Sequence, residues 1–123
     1  MKELSVKISI ALFVLLALSG CSSTKKIKSE NGISQAQYLE LGGVKQYVLI
    51  RGEELDNPIL LFLHGGPGAS ATALLRKFNS ELEKYFTVVY WDQRGAGKSY
   101  DRLMRPEDIT VQHYKEDLQE LTA

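Results

Sequence analysis

Runs of apolar residues predict four strands between residues 36 and 91 of the 123-residue chain. The β-rich stretches 36–41 and 44–51 flank Gly42-Gly43, a pair that is typical of a hairpin turn. The continuous apolar runs 59–63 and 87–91 are typical of strands that are buried on both faces. The sequence therefore predicts a hairpin followed by two strands of a covered sheet.

Two amphipathic helices are predicted from apolar residues at helical spacing. The first runs from Ser70 to about Lys84, and its stripe consists of Leu74, Leu75, Phe78 and Leu82. The second begins after Thr110, whose hydroxyl suits an N-cap, and its stripe consists of Val111, Tyr114, Leu118 and Leu121. A hairpin followed by strand, helix, strand and helix predicts an α/β fold with a mostly parallel sheet.

The first 20 residues have the pattern of a secretory signal. Lys2 and Lys7 precede an apolar run over residues 8–18, and the small residues Ser19 and Gly20 follow it. The run is shorter than the roughly 20 apolar residues that a membrane-spanning helix needs. We therefore predict a removable signal peptide over residues 1–20.

The chain has one cysteine, Cys21, directly after the small pair. The segment Leu18-Ser19-Gly20-Cys21 resembles the bacterial lipobox, which implies lipid on Cys21 and attachment to the extracytoplasmic side of a membrane in a bacterial cell envelope. The alternative is an ordinary cleaved signal with an incidental cysteine. Residues 21–35 are polar and basic and predict a flexible tether, so that residues 36–123 make up the folded domain.

Composition excludes several classes of function. Fifteen basic residues balance fifteen acidic ones, so nothing favours a nucleic-acid partner. Two isolated histidines do not make a metal site, and no motif predicts a cofactor. His113 lies off the apolar stripe of the second helix and is predicted to be exposed.

Two glycine-rich motifs follow the two buried strands. The first is His64-Gly65-Gly66-Pro67-Gly68, and the second runs from Trp91 to Ser99 with the sequence Trp-Asp-Gln-Arg-Gly-Ala-Gly-Lys-Ser. In this order, with one helix between them, they resemble the paired signatures of proline iminopeptidases. The resemblance covers residues 37–123 and implies the N-terminal part of an α/β-hydrolase fold, with the motifs after strands three and four.

The glycines of the first motif suit the chemistry of acyl transfer. Backbone N–H groups stabilise the oxyanion of the transition state, and a loop after strand three supplies one of them in α/β-hydrolases. Gly65 and Gly66 lack a Cβ, so the backbone can approach a substrate and adopt unusual dihedrals. The resemblance implies an oxyanion donor near Gly66, with His64, Pro67 and Gly68 supporting the loop. The alternative is that the glycines only make a tight turn.

Asp92 and Arg94 in the second motif are interpreted as structural, because loop charges of opposite sign usually pair. The motif ends Gly97-Lys98-Ser99, but a phosphate-binding loop would need glycine at position 92, where this chain has aspartate. The nucleotide-binding interpretation is therefore excluded.

A catalytic serine, acid and base are all missing from the predicted site. The serine of this fold lies in Gly-x-Ser-x-Gly, which does not occur here, and the histidine comes last in chain order. We therefore expect the opening portion of a hydrolase, inactive by itself, whose parent cleaves N-terminal prolyl peptides or related small amides and esters. The alternatives are an epoxide or ester hydrolase of the same fold and a non-catalytic, membrane-anchored binding lipoprotein.

The resemblance also implies that strand five pairs beside strand three. Without that strand, residues 59–63 form an open apolar edge, which favours aggregation. The isolated chain is therefore expected to be marginally stable or insoluble.

Overall fold

The computed structural model describes residues 24–65 and 68–123, which form a mixed four-stranded sheet with two α-helices. The strands are β1 (Ile33–Leu41), β2 (Val44–Gly52), β3 (Ile59–Phe62) and β4 (Thr87–Asp92), and the helices are α1 (Thr72–Phe78) and α2 (Val111–Thr122). Short 3₁₀ turns occur at Ser80–Lys84, Gly97–Ser99 and Pro106–Asp108. The predicted α/β fold is confirmed, and among the described strands only β3 and β4 pair in parallel.

The hairpin forms as predicted. Strands β1 and β2 pair in antiparallel fashion up to Leu41 and Val44. Gly42 and Gly43 form the turn with φ angles of 55° and 73°. Two consecutive positive φ angles match the twist of the flanking strands, and glycine adopts them without steric cost.

Strand β3 lies at the edge of the sheet, whose order is β1-β2-β4-β3. It pairs in parallel with β4, and the Thr87 N–H donates to the Pro58 carbonyl at 3.0 Å. Because bonding alternates along a parallel ladder, the backbone groups of Ile59 and Leu61 face away from β4. No other described strand meets them, and Ile59 is 75% exposed. The strand stops at Phe62, so that Leu63, predicted within it, lies outside it.

The core has one layer on each face of the sheet. On one face Tyr47, Leu49, Val88 and Tyr90 pack with Leu75 and Leu82. On the other face Leu41, Val48 and Trp91 pack with Leu118 and Leu121 of α2. Side chains alternate along a strand, so β4 is covered on both faces, as its continuous apolar run predicts.

The predicted helix over 70–84 is shorter than expected. Helix α1 ends at Phe78, and Asn79 leaves helical geometry before the 3₁₀ turn Ser80–Lys84. The tighter turn brings the Glu83 carboxylate to Arg51 in the sheet. Of the predicted stripe, Leu75 and Leu82 pack against the core, whereas Leu74 and Phe78 are exposed.

Helix α2 begins as predicted, because the Thr110 hydroxyl accepts a hydrogen bond from the His113 N–H at 3.2 Å. Its predicted stripe is wrong at its first position, since Val111 is 77% exposed. The prediction that His113 is exposed is also corrected. His113 is half-buried, with Nδ1 3.0 Å from the Asp108 carbonyl oxygen.

The described part of the predicted tether lies against the domain. Strand β1 already begins at Ile33, the Lys25 carbonyl accepts from Arg51 at 2.6 Å, and Asn31 donates to Glu54 at 3.0 Å. Strand β1 thus begins three residues before the predicted domain start at 36, whereas the tether over 21–35 and the domain boundaries stay predictions. The signal peptide and Cys21 lie outside the described residues.

No helix in residues 24–65 and 68–123 has the length and apolar character needed to cross a bilayer. The same residues bring together no group of three or more histidine, cysteine or acidic side chains that would hold a metal ion.

Candidate functional site

The loop after β3 is tied to the loop after β4 through one histidine. The Gln93 backbone N–H donates to His64 Nε2 at 3.1 Å. His64 follows β3 by two positions and Gln93 follows β4 directly. The hydrogen bond therefore joins the carboxyl ends of two adjacent parallel strands, which is where α/β sheets hold their ligands.

The glycines of the first motif differ in what they require. Gly68 has φ 90°, in the region that favours glycine. Gly65 has no positive φ, and a Cβ placed there would meet nothing within 4 Å. The conformational argument for glycine therefore applies to Gly68 and not to Gly65. Gly66 and Pro67 lie outside the described residues, and the oxyanion role of Gly65 and Gly66 stays a prediction.

Asp92 organises the start of α1 and the turn after β4. Its buried carboxylate accepts from the hydroxyls of Ser70 and Thr72, each at 2.5 Å, and from the Lys98 N–H at 3.0 Å. Gly97 closes the turn with φ 50°, and a Cβ there would lie 2.6 Å from the Ser70 Cβ. Three donors to one carboxylate hold the two segments in a fixed arrangement.

Arg94 pairs with a residue that the sequence did not single out. Its Nε and Nη2 both donate to the Asp117 carboxylate at 2.6 Å, and Nη1 donates to the Asp108 carbonyl at 3.0 Å. The hydrogen bond to Asp117 raises the pKa of Arg94. The expectation that loop charges pair with each other is corrected, because Asp92 and Arg94 bind different partners.

The position of Asp117 in the sequence already indicates a buried charge. It lies three residues after Tyr114 and directly before Leu118, which places it on the apolar side of α2. A charged residue at such a position needs a buried partner, and only the tertiary structure identifies that partner.

A second buried ion pair supports the opposite face of the sheet and was also missed. Arg51 donates to both Glu83 oxygens, at 2.8 and 3.0 Å, and the Tyr90 hydroxyl donates to the same carboxylate at 3.0 Å. Burial raises the pKa of Tyr90, and the negative charge of Glu83 adds to the shift. Arg51 lies two positions after Leu49 and four after Tyr47 along β2. Because side chains alternate between the two faces of a strand, Arg51 shares the inward face of these two core residues.

The described serines of the two motif regions are engaged in structural hydrogen bonds. Ser70 donates to the Asp92 carboxylate at 2.5 Å. The Ser99 hydroxyl donates to the Asp92 carbonyl and accepts from the Tyr47 N–H at 2.7 Å. Within residues 24–65 and 68–123, neither hydroxyl bonds to His64 or His113, so neither Ser70 nor Ser99 forms a serine–histidine pair for nucleophilic attack there.

Two known peptidases are similar in sequence to this chain. No family model matches the chain. Over 96 residues it is 42% identical to the probable aminopeptidase YbaC of Bacillus subtilis (strain 168), covering 78% of this chain and 30% of that protein. Over 85 residues it is 34% identical to the proline iminopeptidase of Saccharolobus solfataricus, covering 68% of this chain and 26% of the relative.

A solved structure of a related protein also matches this chain. The crystal structure of a proline iminopeptidase-related protein from Thermus thermophilus superposes with a TM-score of 0.63 at 36% identity, covering 73% of this chain and 31% of that one. The chain therefore spans less than a third of the length of these relatives.

Proposed function

This chain is related to the α/β-hydrolases of the proline iminopeptidase type, and we propose that it supplies the oxyanion-loop framework of a hydrolase that removes N-terminal residues from small peptides. The names of the relatives support proline at the cleaved position, and we extend the proposed substrate class to related small amides and esters. The observation that carries the proposal is the hydrogen bond from Gln93 to His64, which fixes the glycine loop beside β4.

Physical support comes from what the loop needs in order to act. Backbone N–H groups stabilise an oxyanion only if they are held in place before the reaction, because reorganisation costs free energy. Here Asp92 holds the start of α1, and Arg94 holds the loop after β4 against α2. These contacts give the loops beside the site a rigid base.

We also propose that the described residues perform no hydrolysis by themselves. Hydrolysis through an acyl intermediate needs a serine whose proton passes to a histidine, and Ser70 and Ser99 both bond to Asp92 instead. Nucleophile, acid and base are proposed to come from polypeptide equivalent to the remaining two-thirds of the relatives.

Attachment to a membrane through lipid on Cys21 is the third part of the proposal. Its support is the sole cysteine placed directly after Ser19 and Gly20 at the end of an apolar segment. Such an anchor would hold the hydrolase on the extracytoplasmic side of a bacterial membrane.

A chimera tests the hydrolase proposal. The 96 matched residues of the Bacillus aminopeptidase are replaced by those of this chain, and cleavage of prolyl and alanyl arylamides is measured. The chimera is expected to retain turnover. The 123-residue chain alone should show none. A second chimera also carries Gly65→Val, which places a branched side chain on the predicted oxyanion loop. Its kcat is expected to be lower than that of the first chimera. A folded but inactive chimera, or turnover by the chain alone that Ser70→Ala abolishes, would contradict the proposal.

A further inference from the structure

The first described residues are tied to the domain beside helix α1. The Thr24 hydroxyl accepts a hydrogen bond from Arg76 of α1, and the Lys25 ammonium lies 3.7 Å from the Glu81 carboxylate in the turn that follows the helix. Cys21 precedes Thr24 by three residues, and three residues span at most about 11 Å. Lipid on Cys21, as proposed above, would therefore hold α1 close to the bilayer surface.

The side of α1 that faces away from the sheet carries large apolar side chains. Leu75 packs against the core, whereas Leu74 and Phe78, one helical turn apart, are exposed. Tyr85 directly follows the 3₁₀ turn Ser80–Lys84 and, like Phe78, is 67% exposed. Neighbouring exposed apolar side chains, unlike single scattered ones, mark contacts with a partner or a membrane.

The charges around these apolar side chains are balanced. The Lys77 ammonium lies 5.2 Å from the centre of the Phe78 ring. Lys84 binds the Glu81 carboxylate at 2.5 Å, and Glu53 adds negative charge near Lys84. Such a set does not favour a strongly charged partner, but it suits a bilayer. There aromatic and aliphatic side chains enter the headgroup boundary, while lysine stems carry their ammonium groups to water.

We propose that Leu74, Phe78 and Tyr85 form a bilayer-contact surface, with Lys77 and Lys84 at its edge, on which the domain rests against the membrane. The occupant is the bilayer that receives the anchor, because only two residues separate the proposed lipidation site from the segment tied to α1. The inference rests on the proposed lipid attachment for what brings the domain to the membrane. The surface itself lies within residues 74–85.

This orientation leaves the glycine loop open to water. Helix α1 returns the chain from the carboxyl end of β3 to the amino end of β4, so Phe78 and Tyr85 lie toward that amino end. The hydrogen bond between His64 and Gln93 lies beyond the carboxyl end. Strand β4 has six residues, which separates its two ends by about 16 Å. A domain seated in this way meets its substrates from the aqueous side, which suits water-soluble peptides.

Vesicle binding in the absence of the lipid anchor tests the surface. The chimera with the Bacillus aminopeptidase is made to begin at Ser22 of this chain, so that it keeps Thr24 and Lys25 but lacks the lipidation site. It should bind vesicles of phosphatidylethanolamine and phosphatidylglycerol. Phe78→Ser should weaken this binding about tenfold, because one large apolar side chain is withdrawn from the interface.

Val111→Ser is the matched control. Val111 is a comparably exposed apolar residue, but it belongs to α2, which packs on the other face of the sheet. The control should bind vesicles like the unsubstituted chimera, and circular dichroism checks that both variants are folded. No binding by the unsubstituted chimera, or equal losses in the two variants, would overturn the proposal.

The depth of single positions in the bilayer gives a second measurement. In a form of the same chimera without other cysteines, Phe78→Cys and Val111→Cys each carry an environment-sensitive fluorophore. On vesicles the label at position 78 should shift to shorter wavelength and be quenched by brominated acyl chains, whereas the label at position 111 should show neither effect. Equal responses would contradict the assigned surface. Fatty-acid incorporation at Cys21 is measured separately, so that failure of the anchor and failure of the bilayer contact are told apart.

Discussion

The guanidinium of Arg94 and the carboxylate of Asp117 form a two-point ion pair, with both N–O distances at 2.6 Å and the side chains 3% and 0% exposed. Nη2 of Arg94 also reaches the Gly42 carbonyl at 3.4 Å. One arginine thus joins the loop after β4, helix α2 and the tip of the hairpin. Buried ion pairs are tolerated only when such additional hydrogen bonds satisfy the charges.

Replacing Asp117 by asparagine should strongly destabilise the fold. It removes the charge that neutralises a buried guanidinium, and breaking a buried pair in this way costs about 3–5 kcal/mol. The substitution and its control are made in the chimera with the Bacillus aminopeptidase, because the isolated chain is expected to associate. The urea midpoint by circular dichroism, together with the soluble fraction, measures the effect. Glu116→Gln on the exposed side of the same helix is the control and should leave both unchanged. Equal losses in the two variants would show that the pair contributes nothing specific.

A positive charge at the open edge should raise solubility. Wild-type chain at low micromolar concentration is expected to associate and to lack a cooperative thermal transition, because β3 presents unpaired backbone groups and apolar side chains. Ile59→Lys should increase the monomeric fraction in light scattering, since charge disfavours edge-to-edge pairing. Val111→Lys, an equally exposed apolar residue away from the edge, should change little. A cooperative, monomeric wild type would refute the prediction.

Alkaline pH should destabilise the fold through Tyr90. Its pKa is raised above the ordinary value of 10.0, chiefly by burial and then by the charge of Glu83. The folded state therefore holds this proton more tightly than the unfolded state, so its contribution to stability is complete below about pH 10 and declines as the pH rises further. Because the isolated chain is expected to associate, the measurement uses the chimera with the Bacillus aminopeptidase. Its melting temperature between about pH 8 and 11 should fall more steeply than that of its Tyr90→Phe variant. The exposed control Tyr85→Phe should keep the wild-type slope, and parallel curves for all three would exclude Tyr90.

Two glycines with positive φ should respond differently to alanine. Gly43 has φ 73° with nothing within 4 Å of a Cβ, so Gly43→Ala should cost only the strain of that conformation, about 1–2 kcal/mol. Gly97 has φ 50°, and its Cβ would lie 2.6 Å from the Ser70 Cβ. Gly97→Ala should therefore cost about 1–3 kcal/mol more, as overpacking does. Urea unfolding of both variants, made in the chimera with the Bacillus aminopeptidase, measures the difference. Equal costs would contradict the close packing of Gly97 beside Asp92 and Ser70.

Lipid attachment should depend on Cys21. When the whole chain is expressed in a bacterium fed with a labelled fatty acid, wild type should incorporate label and enter the detergent phase. Cys21→Ala should do neither, whereas Ser22→Ala, a neighbouring change that keeps the thiol, should behave like wild type. Label in the Cys21→Ala variant would show that the anchor is elsewhere.

Local pattern was sufficient for the elements and for the family. The Gly42-Gly43 turn, the run 87–91 and the Thr110 cap follow from properties of adjacent residues, and the structure confirms them. The two glycine motifs predicted the relationship that the similar proteins confirm. The helix over 70–84 was less accurate, because spacing alone does not reveal that Glu83 must turn inward to meet Arg51.

What the amino-acid sequence determined by itself is the set of strands, turns and loop motifs, because hydrophobic period and glycine placement act over a few residues. The partners of Arg94, of Asp92 and of His64 were decided only by the tertiary structure. The pairs Arg94–Asp117, Asp92–Ser70 and His64–Gln93 each join residues that are more than 20 positions apart along the chain. Such pairs depend on how the sheet brings distant segments together, and no local pattern records that distance. Asp117 illustrates the difference, since the sequence marks it as a charge on an apolar helix face and the fold supplies the arginine that it binds.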